Sequence, residues 1–213
     1  MNLLDSLRTH RLLAIVRGSD PDAALATVLA LADSGINLIE VSLTSVDALG
    51  VLRRARAALG AEYGLGAGTV LTAEQAADAA EAGATYLVTP ALAPSIAEAA
   101  RLGLPVLAGA LTPTEVVQAT TAGAAAVKLF PASVGGPDYL RALRDPFPQT
   151  AFVPVGGVDA AGARDYLDRG AIAVGVGSPL VGDAVRGGDL SALRQRAADF
   201  LAMTAVAPAG GAS

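Results

Sequence analysis

The feature that most constrains the fold is a repeat of eight short apolar segments that alternate with alanine-rich stretches of helical character. The apolar segments begin roughly 20 to 26 residues apart, a spacing typical of β-strands separated by helices. They are residues 12–17, 38–43, 63–69, 86–90, 105–110, 126–131, 151–157 and 172–177. Between them, segments such as residues 21–34, 73–82 and 114–121 are predicted to be helices.

Glycines and hydroxyl residues mark the predicted ends of these helices. A glycine that follows a helical stretch and precedes an apolar run favours a left-handed helix stop. Five positions fit that pattern: Gly35, Gly83, Gly103, Gly123 and Gly170. At the other end, Thr72 and Thr112 are predicted N-caps, and Pro113 suits a first helical position.

Most of the eight segments are apolar throughout, a pattern of parallel strands that are covered on both faces. Eight strand–helix units predict an α/β fold, a closed (β/α)₈ TIM barrel, although the chain is shorter than the ~250 residues typical of that fold. A doubly wound open sheet stays as the alternative. We expect a single domain over residues 1–204 and a disordered tail over residues 205–213.

One residue type is almost missing from the chain. It contains 14 arginines but a single lysine, Lys128, which lies inside the apolar run of residues 125–130. Arginine cannot replace lysine where a neutral amine must form, because guanidinium stays protonated. Burial lowers the pKa of an amine, so Lys128 is a candidate nucleophile that forms a Schiff base with a ketone. The alternative is a packed stem whose ammonium reaches the rim.

Composition excludes several other chemistries. The chain has no cysteine, and its one histidine, His10, precedes the first strand. Thiolate catalysis and zinc–cysteine sites are thereby excluded, a histidine-bound metal is disfavoured, and the cytoplasm is the expected location.

The net charge is −5, and Arg53, Arg54 and Arg56 fit the solvated face of one helix, so we expect no nucleic-acid partner. No stretch resembles a membrane span or a signal peptide.

Several polar residues stand at the predicted C-terminal ends of the strands, where active sites of such barrels lie. Glu40, in an apolar strand, is a candidate general acid–base, or else an ion-pair partner of Arg17 or Lys128. Arg17 is a candidate clamp for a carboxylate or phosphate, with a solvated arginine at the rim as the alternative, and Thr69 is a candidate carboxylate ligand. Phe130 is expected to shape the wall beside Lys128.

Glycines after the last two strands predict an anion site. Gly156-Gly157 follows strand 7, and residues 175–178 follow strand 8, where backbone amides can approach a phosphate. Ser178 is predicted to cap a helix that has Pro179 at its first position. Tight turns alone are the alternative explanation for these glycines.

Taken in order, these motifs resemble a known family. They are Arg17, Ile39-Glu40-Val41, Gly66-Ala67-Gly68-Thr69-Val70-Leu71, Val88-Thr89-Pro90, Lys128-Leu129-Phe130-Pro131-Ala132, Pro154-Val155-Gly156-Gly157-Val158 and Gly177-Ser178. Over about residues 10–200 the chain is similar to the 2-dehydro-3-deoxy-phosphogluconate/4-hydroxy-2-oxoglutarate aldolases.

The resemblance implies a cofactor-free, metal-free class I aldolase, a homotrimer, that splits a 2-dehydro-3-deoxy-6-phospho sugar acid into pyruvate and D-glyceraldehyde 3-phosphate. It implies that Lys128 is the Schiff-base lysine and Glu40 the acid–base residue. It further implies a keto-acid end and a phosphate end. The keto-acid end is lined by Arg17, Thr69 and Pro90, and the phosphate end by Gly156, Gly157, Gly177 and Ser178.

One departure from the family concerns the sugar. Many phosphogluconate aldolases have an arginine where this chain has Thr44, and the phosphogalactonate aldolases have a neutral residue there. Residues 136–143 also look more like the phosphogalactonate branch, which therefore is the favoured epimer. Three alternatives stay open: a 4-hydroxy-2-oxoglutarate aldolase that yields pyruvate and glyoxylate, a phosphate-binding isomerase or epimerase, and a catalytically silent barrel.

Overall fold

The computed structural model of the protein describes residues 2–205, and eight parallel strands form its centre. Each strand has three to five residues, shorter than the apolar segments of the sequence, whose flanking residues lie in loops. The strands are β1 (Leu12–Val16), β2 (Leu38–Ser42), β3 (Gly64–Gly68), β4 (Tyr86–Val88), β5 (Val106–Ala110), β6 (Ala126–Leu129), β7 (Phe152–Pro154) and β8 (Val174–Val176).

Helices connect successive strands on the outside of this sheet. The α-helices are α1 (Leu3–His10), α2 (Pro21–Asp33), α3 (Ala48–Leu59), α4 (Ala73–Glu81), α5 (Ser95–Arg101), α6 (Pro113–Thr121), α7 (Gly136–Arg144), α8 (Ala160–Asp168), α9 (Ser178–Val181) and α10 (Leu190–Thr204). Two 3₁₀ turns, Ala132–Val134 and Ala184–Arg186, follow β6 and α9. Among the described residues, none of these helices is both long and apolar enough to cross a membrane.

The sheet closes on itself through its first and last strands. Neighbouring strands pair in sequence order from β1 to β7, and β8 pairs with β1. The remaining seam is joined by a bridge between Val155 and Gly175 and by the amide of Ile172, which donates to the carbonyl of Phe152 at 3.0 Å. The predicted (β/α)₈ barrel is therefore confirmed, and the open sheet is excluded.

Two apolar clusters hold the barrel together. The larger packs the helices against the outer faces of the strands, and the smaller fills the barrel interior. Leu3 and Leu7 of α1, a helix that the sequence pattern did not predict, belong to the inner cluster. Helix α1 therefore covers the end of the barrel opposite the C-terminal ends of the strands.

The predicted helix signals are confirmed in the structure. The five glycines that follow helices all have positive φ, between 70° and 96°. Thr72 and Thr112 form capping boxes with Gln75 and Glu115, and α6 begins at Pro113. The predicted domain boundary lies at the edge of the described chain, and residues 206–213 of the predicted tail lie outside it.

Two local predictions were wrong. Ser178 does not cap α9: Gly177 occupies the cap position, no side chain caps this helix, and Ser178 is its first residue. Arg56 does not lie on a solvated helix face, because it folds back over the end of α3 and donates to four carbonyl groups. Those acceptors are Gly60, Ala61, Tyr63 and Gly83.

Candidate active site

A cavity of about 600 Å³ opens at the C-terminal ends of the strands. All ten residues singled out from the sequence as site residues line it, together with Thr44. They are Arg17, Glu40, Thr69, Pro90, Lys128, Phe130, Gly156, Gly157, Gly177 and Ser178. Residues from seven of the eight strand ends thus converge on one space, the place that the barrel topology dictates.

Lys128 lies on β6 and is only 5% exposed. Burial lowers the pKa of its ammonium, and the nearby positive charge of Arg17 lowers it further, whereas Glu40 acts in the opposite direction. Its Nζ lies 4.9 Å from the centroid of the Phe130 ring, a contact that favours the charged form. The alternative of an ammonium that reaches the solvated rim does not fit this burial.

Glu40 lies on β2 and is 1% exposed. Desolvation raises the pKa of its carboxyl group, although the charges of Lys128 and Arg17 counteract part of that rise. Its Oε2 is buried without a hydrogen-bond partner, and within residues 2–205 Glu40 makes no salt bridge with either cation. A structural ion pair therefore does not explain Glu40.

A hydroxyl network joins the residues at one end of the cavity, and its centre is Ser42, which the sequence did not single out. Nε of Arg17 donates to Oγ of Ser42 at 3.4 Å. That oxygen also shares hydrogen bonds with the hydroxyl groups of Thr44 at 2.8 Å and Thr69 at 3.1 Å. Thr69 has a left-handed backbone, with φ of 59°, which is uncommon for a threonine. The network fixes the three polar side chains that face a ligand.

The other end of the cavity is formed by glycine-rich loops. Gly156 and Gly157 have φ values of 93° and 79°, and a side chain at Gly157 would lie 2.7 Å from Cβ of Ser133. Only glycine suits such a backbone in so little space. After the neighbouring strand β8, Ser178 is exposed and its hydroxyl group is free of any capping role.

Apolar residues and one arginine complete the lining, and sequence reasoning missed them. Ile15, Val155 and Val181 form apolar wall, and Arg186 contributes a charge from the 3₁₀ turn after α9. Ile15 lies on β1 two residues before Arg17, and this alternation could have indicated the first of these. Nothing in the sequence pattern marked Arg186, because it follows the last strand by ten residues in an irregular segment.

The acidic and imidazole groups of the site are sparse. Within residues 2–205, no group of three histidine, aspartate or glutamate side chains is arranged to hold a metal ion. Chemistry built from the residues that line this cavity therefore relies on an amine, a carboxyl group, arginines and hydroxyls.

Comparison with known proteins identifies the family. Residues 3–196 match the aldolase family described as KDPG and KHG aldolase. The chain belongs to this family. The predicted identity as an aldolase, a carbon–carbon lyase, is confirmed, and it takes precedence over the alternatives of an isomerase and a catalytically silent barrel.

Three relatives of this aldolase illustrate the similarity. The 2-dehydro-3-deoxy-6-phosphogalactonate aldolase of Escherichia coli K12 is 39% identical over 171 residues, 79% of this chain and 83% of the relative. The 2-dehydro-3-deoxy-phosphogluconate aldolase of Haemophilus influenzae is 34% identical over 170 residues, 78% of each chain.

The third relative is a solved structure of KDPG aldolase from Legionella pneumophila, with pyruvate captured at low pH as a covalent carbinolamine intermediate. It is 26% identical, covers 91% of this chain and 95% of that one, and superimposes with a TM-score of 0.84. A carbinolamine is the adduct that precedes a Schiff base, so the predicted reaction class agrees with this relative.

Proposed function

We propose that this protein cleaves 2-dehydro-3-deoxy-6-phosphogalactonate to pyruvate and D-glyceraldehyde 3-phosphate through a Schiff base on Lys128. The observation that carries the proposal is the pair of buried groups in one cavity. Lys128, the only lysine of the chain, and Glu40 both lie in apolar strands, and both line the same space. Burial shifts the pKa of the amine down and that of the carboxyl group up.

Carbinolamine formation requires a neutral amine and an acid. In its neutral form, Nζ of Lys128 attacks the C2 ketone and forms a C–N bond. The protonated carboxyl group of Glu40 then gives its proton to the departing hydroxyl, water leaves, and an iminium ion remains. Both shifts in pKa favour the neutral amine and the protonated acid that this step uses.

Cleavage requires the opposite protonation state of Glu40. As a carboxylate it accepts the proton of the C4 hydroxyl group, the C3–C4 bond breaks, and the electron pair moves into the iminium to give an enamine. The aldehyde leaves, and the proton on Glu40 is then delivered to C3 of the enamine. Hydrolysis of the resulting iminium releases pyruvate and regenerates Lys128. One carboxyl group thus moves the proton in each step.

The two ends of the cavity give the substrate its orientation. Arg17 and Thr69, joined through Ser42, are suited to donate hydrogen bonds to the keto-acid carboxylate. Pro90 and Phe130 also line the cavity, and the Phe130 ring centroid lies 4.9 Å from the amine. The backbone of Gly156, Gly157 and Gly177 and the hydroxyl group of Ser178 are suited to the phosphate.

Thr44 supports the galactonate epimer. It lines the cavity, and its hydroxyl group is held by Ser42 at the end where many phosphogluconate aldolases carry an arginine. The carboxylate is then bound without a second cation. 4-Hydroxy-2-oxoglutarate has no phosphate: its second anion is a carboxylate attached directly to C4, which reaches less far from the amine than a phosphate on C6.

Borohydride trapping tests the Schiff base. Incubation with pyruvate and sodium borohydride is expected to add one reduced pyruvate, and peptide mapping is expected to place it on Lys128. Lys128→Arg, which keeps the charge, is the matched control and should give no side-chain adduct. An unchanged mass for the unsubstituted protein would refute the mechanism.

The epimer is tested by comparing kcat/KM for the 6-phosphogalactonate and 6-phosphogluconate substrates. A preference of tenfold corresponds to only about 1.4 kcal/mol, so direct kinetics are needed. Higher kcat/KM for the gluconate epimer, or for 4-hydroxy-2-oxoglutarate, would overturn the assignment of the sugar and leave the Schiff base intact.

We also propose that residues 1–204 form one catalytic domain and that the protein assembles as a homotrimer in the cytoplasm. Val46, Leu71 and Val134 support an interface, because these large apolar residues follow β2, β3 and β6 and are 54%, 41% and 68% exposed. Light scattering coupled to size-exclusion chromatography tests the trimer. A monomeric mass would contradict it.

A further inference from the structure

One cationic side chain in the cavity has no part in the proposed reaction. Arg186 ends the 3₁₀ turn Ala184–Arg186 and lines the same cavity as Lys128. The residue is exposed, and within residues 2–205 its guanidinium group makes neither a hydrogen bond nor a salt bridge. Its donors are therefore available to a ligand.

The turn that carries Arg186 is held on one side by its own backbone hydrogen bonds and by a contact with Gly18, which follows β1. The amide of Arg186 donates to the carbonyl of Asp183 at 2.9 Å, and that of Gly188 donates to the same carbonyl at 3.1 Å. Val185 packs directly on Gly18, where an added Cβ would lie 2.9 Å from Cβ of Val185. The position of the Arg186 backbone at the rim is thus fixed.

Helix α10 holds the preceding segment from the other side. Arg196 donates to the carbonyl groups of Leu180 at 2.7 Å and Val181 at 3.0 Å. An added Cβ at Gly182 would lie 2.5 Å from the same guanidinium group, so the chain passes close to Arg196. The two arginines therefore differ: the guanidinium group of Arg196 binds backbone carbonyl groups, whereas the hydrogen-bond donors of Arg186 are free.

The charges in the cavity are arranged for a ligand with two anionic groups. The charged residues in the lining are Arg17, Glu40, Lys128 and Arg186, which makes the cavity cationic in a chain of net charge −5. Arg17 is close enough to shift the pKa of both Glu40 and Lys128, whereas Arg186 is not among the charges that do so. Arg186 instead follows β8 in the chain, as do Gly177 and Ser178.

We propose that Arg186 is a phosphate-binding residue that makes this aldolase selective for phosphorylated aldehydes. This inference rests on the proposed function and adds a side-chain cation to the glycine-rich end. The planar guanidinium group donates two hydrogen bonds to phosphate oxygens, and its positive charge attracts the dianion. The phosphate takes no part in bond cleavage, so Arg186 binds ground state and transition state alike and acts on KM rather than on kcat.

The test compares two aldehydes in the condensation with pyruvate, D-glyceraldehyde 3-phosphate and D-glyceraldehyde. Arg186→Gln is expected to lower kcat/KM for the phosphorylated aldehyde about tenfold, through KM, the size expected for one exposed charge-assisted contact. For D-glyceraldehyde the change is expected to stay within about twofold. Arg53→Gln, which removes an exposed arginine of α3 outside the cavity lining, is the control and should alter neither.

A binding measurement gives the same comparison without turnover. In calorimetric titration with sn-glycerol 3-phosphate, Arg186→Gln should weaken binding about tenfold, and Arg53→Gln should not. An equal loss for both aldehydes, or unchanged affinity for glycerol 3-phosphate, would overturn the role of Arg186. Borohydride trapping separates this failure from that of the proposed function: an adduct on Lys128 with no effect at Arg186 refutes only the present inference.

Discussion

The substitution Gly68→Ala tests whether the position of Glu40 matters for catalysis. Gly68 ends β3 beside Glu40, and a Cβ built on it would lie 2.4 Å from Oε1 and 2.7 Å from Cδ of that carboxyl group. Ordinary contact begins at 3.4 Å, so the carboxyl group must move by about 1 Å. The backbone at Gly68 has no positive φ, and alanine introduces no other strain there. The effect is therefore confined to Glu40.

A displacement of about 1 Å at a catalytic group costs roughly 100-fold in rate. We expect Gly68→Ala to lower kcat by about that factor in an assay that couples pyruvate release to lactate dehydrogenase. Borohydride trapping should still label Lys128 at saturating pyruvate, because the substitution leaves the amine in place. The loss would then be located in proton transfer.

A double-mutant cycle decides whether Glu40 carries the effect. In a Glu40→Ala background the clash is absent, and Gly68→Ala should cause little further loss of kcat. The same factor in both backgrounds would refute the reasoning. Gly66→Ala is the matched control on β3: its Cβ would lie 2.3 Å from the ring of Tyr86, which is outside the cavity lining. Gly66→Ala should lower the free energy of unfolding by about 1–3 kcal/mol. It should lower kcat by a smaller factor than Gly68→Ala does.

Three further predictions concern stability, measured by denaturant unfolding. Lys128→Met should raise the free energy of unfolding by about 1 kcal/mol. Burial lowers the pKa of Lys128, so below pH 10.5 the unfolded parent protein binds a proton that the folded one does not. The gain in the free energy of unfolding should therefore grow as the pH falls from 10.5 toward the folded pKa. A difference that does not depend on pH would contradict the lowered pKa. Burial raises the pKa of Glu40, so the stability of Glu40→Gln relative to the parent should increase as the pH rises above 4.5; a decrease would contradict the raised pKa. Tyr86→Phe should raise the free energy of unfolding by about 1 kcal/mol, because the Tyr86 hydroxyl group is buried without a hydrogen-bond partner. A lower free energy of unfolding would contradict this and indicate that the hydroxyl group has a partner.

The barrel was predictable because its signals are local and repeated. An apolar strand, a capped helix and a glycine stop recur along the chain, and each can be recognised within about a dozen residues. Lys128 and Glu40 were recognisable for a related reason. A charged residue within an apolar strand contradicts the surrounding pattern, and such contradictions concentrate at functional sites.

The positions that sequence reasoning missed depend on contacts between distant segments. Arg56 resembles its neighbours on α3, and only the fold shows that its guanidinium group meets carbonyl groups of two loops. Ser42 is an ordinary hydroxyl residue in a strand until Arg17, Thr44 and Thr69 gather around it. Arg186 lies in an irregular turn, so no periodicity indicated which way it faces.

The opposite shifts of Lys128 and Glu40 have one physical cause, and their combination suits the reaction. Desolvation penalises every charge in the apolar interior, so it favours the amine over the ammonium and the acid over the carboxylate. Moving the proton from Lys128 to Glu40 leaves the total charge of the cavity unchanged while removing two buried charges. Arg17 limits this transfer, because its charge stabilises the carboxylate of Glu40 and so keeps the base accessible for the cleavage step. Replacing the apolar surroundings of either group with solvent would remove this penalty, so the carboxylate and the ammonium would be favoured and Lys128 would lose its nucleophilic amine.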